Sequence, residues 1–182
     1  MPISVALAAT LQLALTATFV VLPVVVYFYG GSAQRAAEAE TIRQGVPVEV
    51  LAEHRIRFEE KAWEFLLAIG IAAALATLAG LNLSRIRTGL VLSWIAEPVV
   101  LVAVGFVCAS QVLAVRYTQA AFAKSGDPRV REIDAAAVIG AASAAMPSWI
   151  RAVVVVRFGL ATLGSLLVIL LLLTPSANAY FH

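Results

Sequence analysis

A single carboxylate, Glu97, stands inside the apolar run LVLSWIAEPVVLVAVGFVCASQVLAV, from Leu90 to Val115, with Pro98 directly after it. A hydrocarbon core about 30 Å thick takes about 20 helical residues, so this run is long enough to cross it. An acid inside such a span faces protein or water rather than lipid and marks a functional site by default. Two kinds of chemistry fit it: a proton or cation site, and a polar anchor for a ligand headgroup. The structural alternative is a hydrogen bond to Gln12, Thr77 or Thr162, or to a partner subunit. Gln12, Thr77 and Thr162 fall at a similar depth on the other apolar runs. With Glu97 they form the candidate ligand or ion set, expected as a polar layer inside a helix bundle.

Arg157 is the second charge inside an apolar run. With Arg151 it could bind a lipid headgroup phosphate. Snorkelling of the side chain back to the nearer membrane surface explains it without any ligand. An ion pair with Glu97 is disfavoured, because the two depths differ by roughly 9 Å on the helical rise.

No other residue pattern carries chemistry. His54 lies near Glu53, Glu59 and Glu60, but HExxH is absent and no second histidine is close, so no metal site is expected. No GxSxG, P-loop or glycine-rich dinucleotide signature occurs, so neither a cofactor nor a catalytic set is expected. Cys108 is the lone cysteine and reads as a small packing residue.

The elements that must position these residues are helices in lipid. The chain is 62% hydrophobic and 13% charged, against about 45–50% and 25% in soluble domains. The net charge of +2, with no dense Lys/Arg run, argues against nucleic acid as a partner. Arginines outnumber lysines eleven to two, which fits a GC-rich bacterial genome. The fold class expected is all-α: one membrane domain over residues 1–182, a four-transmembrane-helix bundle with cytoplasmic helix extensions. The spans are placed at about 4–29, 62–83, 90–115 and 149–173. The first apolar run is too long for the core of a signal peptide, and no basic residue precedes it.

Helical segments outside the membrane are placed at about 32–61 and 117–148. Gly30-Gly31 is expected to break the first helix. Val48, Leu51, Arg55, Phe58, Ala62, Phe65 and Ile69 recur at 3–4 spacing. They predict one helix over Val48 to Leu83, roughly 50 Å long. Ala72, Ala76 and Gly80 form a small-xxx-small face suited to close helix packing. Asp127 and Pro128 are an N-cap and first helical residue. The apolar stretch that follows, to about Met146, is too short to span and is expected at the interface or against protein.

Charge sets the orientation. Arg35, Arg43, Arg55, Arg57 and Lys61 flank one connection and Arg116, Lys124, Arg129, Arg131 and Arg151 another; the hairpin between them holds only Arg85 and Arg87. The positive-inside rule then puts both termini outside a bacterial cytoplasmic membrane. The function expected is that of a non-enzymatic accessory or assembly subunit of a larger inner-membrane complex, such as a transporter. Lack of chemistry, the small-residue face and a helix seam with little to cover it support that. A small oligomeric proton- or ion-coupled transporter or channel using Glu97 is the alternative, and a lipid-binding or lipid-modifying protein using Arg151 and Arg157 the second. Expected partners are membrane lipids and other integral subunits or further copies of the chain.

Overall fold

The computed structural model describes residues 1–182 and contains no strand. Four helical stretches are long and apolar enough to cross a membrane: Ile3–Arg43, Ala62–Leu83, Arg87–Val112 and Ile150–Leu172. The last three match the expected spans to within a few residues.

The first does not. Helix α1 (Ile3–Arg43) runs unbroken through Gly30-Gly31 for 41 residues, about 60 Å at 1.5 Å per residue. The two glycines serve close approach rather than termination. A Cβ on Gly30 would sit 2.8 Å from the Phe58 carbonyl oxygen and 3.2 Å from Glu59 Cα. The segment 54–61 crosses α1 at this point, and only glycine leaves it room.

The single helix expected over Val48 to Leu83 is also corrected. Helix α2 is only Glu49–Glu53, and α3 begins at Ala62. Between them Arg55 takes a left-handed φ of 56°. Ile56 N–H donates to Leu51 C=O and Arg55 N–H to Ala52 C=O, the paired bonds of a Schellman stop. The 3–4 spacing of apolar residues continues across the break because the crossing segment also turns one side inward. The same stop recurs at Arg85, with φ of 61°, at the end of α3 (Ala62–Leu83), and at Gly45 after α1.

Helices α4 (Arg87–Val99) and α5 (Gly105–Val112) form one continuous span joined by a π-helical turn, π1 (Val100–Val104). Helices α9 (Ile150–Gly159) and α10 (Ser165–Leu172) are joined likewise by π2 (Leu160–Gly164). The two π turns pack on each other. Pro98 precedes π1 and has no N–H to give the preceding turn. A Cβ on Gly105 would meet Thr162 Cγ2 at 3.1 Å, so glycine sets this close contact.

Beyond the spans the chain builds a separate apolar body at the basic end. Between α5 and α9 lie α6 (Ala114–Ala123), α7 (Pro128–Arg131) and α8 (Ala135–Ala144). The body buries Ala33 and Ala37 of α1, Leu51, Phe122, Ile133 and Val138. Helix α8 therefore packs against protein, and Leu51 at the start of the expected seam is covered, not bare. Asp127 caps α7 as expected, and Asp134 caps α8 by accepting from Ala136 and Ala137 N–H. At the opposite end the chain closes with α11 (Pro175–Tyr180). There Tyr180 Oη donates to Leu83 C=O at 3.0 Å and the Arg85 guanidinium bonds Tyr180 C=O. Both termini and the 84–86 hairpin share this end.

Candidate functional site

All four long helical stretches contribute to one buried polar layer. Glu97 on α4 is 1% exposed, and Gln12, Asn82, Ser93 and Ser165 are equally enclosed. Gln12 Nε2 donates to Glu97 Oε1 at 2.9 Å and to Ser93 Oγ at 3.3 Å. Asn82 Nδ2 donates to Ser93 Oγ at 2.9 Å and to Gln12 Oε1 at 3.2 Å. Ser165 Oγ lies beside the Glu97 carboxyl but has no hydrogen-bond partner of ordinary geometry, and Asn82 Oδ1 is likewise buried and unpartnered. A narrow crevice beside Glu97, lined by Leu11, Leu15, Leu160 and Val168, has no room for a water molecule.

The elements explain the convergence. Ser93 and Glu97 are one turn apart on α4 and share a face. Asn82 stands at the last turn of α3, directly before the hairpin that returns into α4, so the hairpin folds it back onto Ser93. Gly89 makes that approach close: a Cβ there would lie 2.9 Å from Asn82 Oδ1. Ser165 is the first residue after π2, while Glu97 precedes π1 by three positions. Irregular turns of this kind are uncommon and occur often at functional sites.

Of the expected set, the structure brings Gln12 to Glu97 and leaves the other two apart. Thr77 is exposed on the outer face of α3, its hydroxyl bonded to Ala73 C=O of its own helix at 2.8 Å. Thr162 is also satisfied internally, donating to Phe158 C=O at 2.7 Å. A threonine hydroxyl in an apolar helix closes readily on its own i−4 carbonyl, and both do so here. Asn82 and Ser165 take their places. Asn82, Ser93 and Ser165 all lie outside the expected set of four, and Asn82 is the least foreseen of them. Its signal was an amide between two leucines near a span's end.

Arg157 does not snorkel to the surface. It is 7% exposed, its Nη2 donates to Gln111 Oε1, and its guanidinium lies over the Phe19 ring at 5.4 Å. Arg151 is exposed, whereas Arg157 is enclosed. Arg157 Nε remains buried without a partner, as does Glu60 Oε2 on the crossing segment 54–61. Burial, and then the neighbouring Glu64 charge, push the Glu60 carboxyl above its ordinary range. Attraction to Arg157 and Arg57 opposes this more weakly. No ion pair joins Glu97 to Arg157. Between their two levels lie Leu15, Leu75, Val100 and Ala161, all buried.

The small-residue face is partly relocated. Ala72 is buried inside the bundle and Ala76 half-buried, while Gly80 is exposed with nothing near it. The outward stripe on α3 is instead Gly70, Ala73, Thr77 and Gly80, all exposed. Beside it a shallow groove of about 350 Å³ runs between α3 and α4, lined by Ala74, Thr77, Leu81, Leu92 and Ile95. No cluster of side chains with metal-ligating character is present. Comparison with protein-family models, curated proteins and solved structures finds no match to this chain.

Proposed function

We propose that this chain is a non-enzymatic integral membrane subunit that docks, through the outer face of α3, on a helix of another membrane protein in a larger complex. The observation that carries this reading is the exposed stripe Gly70, Ala73, Thr77, Gly80 beside an open groove. Within lipid, helices associate where small residues let backbones approach, because apolar side chains gain little by leaving acyl chains. Inside the bundle there is no corresponding space: the polar layer is dry and its groups are largely spent on one another.

A membrane setting is supported by the inversion of polarity. Glu97, Gln12 and Asn82 are inside, while Leu66, Ile95, Phe106, Val156 and Leu170 are outside. Tyr27, Phe28, Trp63 and Trp149 are exposed around the basic end, where an aromatic belt belongs. The seam lends the accessory role less support than its sequence did, since Leu51 and Phe58 pack with Phe122 and the α7–α8 residues.

The test is purification in mild detergent from native membranes, with identification of co-purifying chains. Wild type is expected to bring a second integral protein with it. Gly80→Leu is expected to lose that partner yet keep the bundle intact, because beyond its own helical turns nothing lies within 4 Å of a Cβ at Gly80. Recovery of wild type as a lone monodisperse chain would overturn the reading.

A further inference from the structure

We propose that Glu97 is a proton-binding site that communicates only with the end of the bundle holding the 84–86 hairpin and both termini. The bundle then senses pH on that one side and does not conduct protons across.

The first ground is the choice of ligand. A buried carboxylate in a membrane span calls for a cationic partner. None is near. Helix α1 carries no charged side chain before Arg35, α3 none between Glu64 and its end, and α10 none at all. On its own span the nearest charge is Arg87, ten residues away; Arg157 precedes Ser165 by eight residues, roughly 12 Å of helix. The groups that face Glu97 are therefore the neutral Gln12, Ser93 and Ser165, with Asn82 behind them. A crevice too small for one water molecule cannot take a hydrated cation. A proton needs no volume.

The second ground is what receives it. In the ionised state Glu97 accepts from Gln12 Nε2, and the Ser165 hydroxyl can turn to donate as well. In the protonated state the new O–H finds an acceptor in the same Ser165 oxygen, which has no other partner. One rotating hydroxyl, donor and acceptor both, serves either state.

The third ground is the route. The bonded series Asn82, Ser93, Gln12, Glu97 starts at the last turn of α3, next to exposed Ser84. Amides do not relay protons, and Asn82 Nδ2 and Gln12 Nε2 both donate to Ser93 Oγ, so the carrier is water. Hydronium from the hairpin enters transiently as this polar lining opens, gives its proton to the Glu97 carboxylate and leaves as water. Beyond Glu97 the interior is Leu15, Leu75, Val100, Ala161 and then Cys108, and the nearby hydroxyls of Thr16, Thr18 and Thr162 are spent on carbonyls of their own helices, so the series does not continue. Arg157 stands past that plug and repels a further cation.

The experiment follows the carboxyl C=O infrared band of the full chain in lipid nanodiscs as bulk pH is changed. A band that titrates reversibly in wild type and is missing in Glu97→Gln is expected. After a pH jump the Glu97 band should respond several-fold more slowly in Asn82→Leu, and likewise in Ser93→Ala, which guards against a folding failure of the first. Ser165→Ala should shift the midpoint without abolishing titration. A Glu97 carboxyl that keeps one protonation state wherever the helices stay folded would overturn the site. Unchanged rates in both route variants would overturn the one-sided access.

Discussion

Gln12 Nε2 lies 2.9 Å from Glu97 Oε1, although the two residues are 85 positions apart in the chain. This bond joins the first span to the third, and Gln12 Oε1 extends it to Asn82 on the second. Gln12→Leu removes these two bonds and the one to Ser93 Oγ at once. It is expected to lower the stability of the bundle by about 1–2 kcal/mol, the scale of interhelical hydrogen bonds in membranes. The double variant with Asn82→Leu should lose less than the sum of the single losses, since the residues share one network. Unfolding of the four species in the same detergent, as a mutant cycle, measures this.

Gly30 is where the 58–59 backbone touches α1. Gly30→Ala places a methyl group 2.8 Å from a carbonyl oxygen, so the crossing segment must lift. Trypsin should then cut faster after Arg55 and Arg57. Gly140→Ala is the control: nothing lies within 4 Å of its Cβ, and alanine in a helix interior gains about 1 kcal/mol over glycine. Equal cleavage of wild type and Gly30→Ala would contradict the contact.

Arg55 and Arg85 share a left-handed backbone and should respond differently to glycine. A non-glycine residue in that conformation carries about 1–2 kcal/mol of strain. Arg55→Gly relieves it at an exposed site and should raise the unfolding temperature. Arg85→Gly relieves the same strain but loses the bond to Tyr180 C=O and the stacking on its ring at 5.5 Å. It should leave stability unchanged or lower, with α11 more open to carboxypeptidase.

Glu60 gives the crossing segment a pH dependence. Its folded carboxyl lies above its ordinary value of 4.5, chiefly through burial. From that ordinary value up to the raised one, the folded protein binds more protons than the unfolded chain. Stability therefore falls as pH rises through this window and stays reduced above it. Glu60→Gln should remove the slope and protect the segment 54–61 from protease at neutral pH. Cleavage rates across a pH series, for both proteins, decide this.

Orientation is open to direct measurement. Single cysteines at Ser4 and Ser176, whose hydroxyls are 3.4 Å apart, and at Ser125, in a Cys108→Ala background, should label from opposite sides of intact cells. The positive-inside rule predicts the first two outside. Labelling of all three from one side would contradict a four-span arrangement.

The four long apolar helical stretches were legible because hydropathy over twenty residues needs no knowledge of partners. That Glu97 would need a hydrogen-bonding partner was legible too, but Gln12 stood there only as one choice beside Thr77, Thr162 and a partner subunit. What escaped depends on a second segment arriving. Gly30-Gly31 reads as a helix break until the 58–59 backbone is seen to occupy the space that its side chains lack. Arg55 carries a stop that statistics assign to glycine, so the apolar spacing ran on through it. Arg157 reads as a snorkelling side chain until Gln111 and the Phe19 ring are found holding it. Asn82 was hidden because its position at a span's end gave it water as an obvious partner.

Helix α1 is the one element that belongs both to the polar layer, at Gln12, and to the apolar body at the basic end, at Ala37. Those two residues are roughly 38 Å apart along the helix. A rod of that length amplifies angle into displacement: a tilt of about five degrees at the layer would carry Ala37 about 3 Å. Whatever rearranges around one carboxyl near the termini thus has a mechanical pointer to the opposite face of the molecule, ready-made in the first forty-three residues.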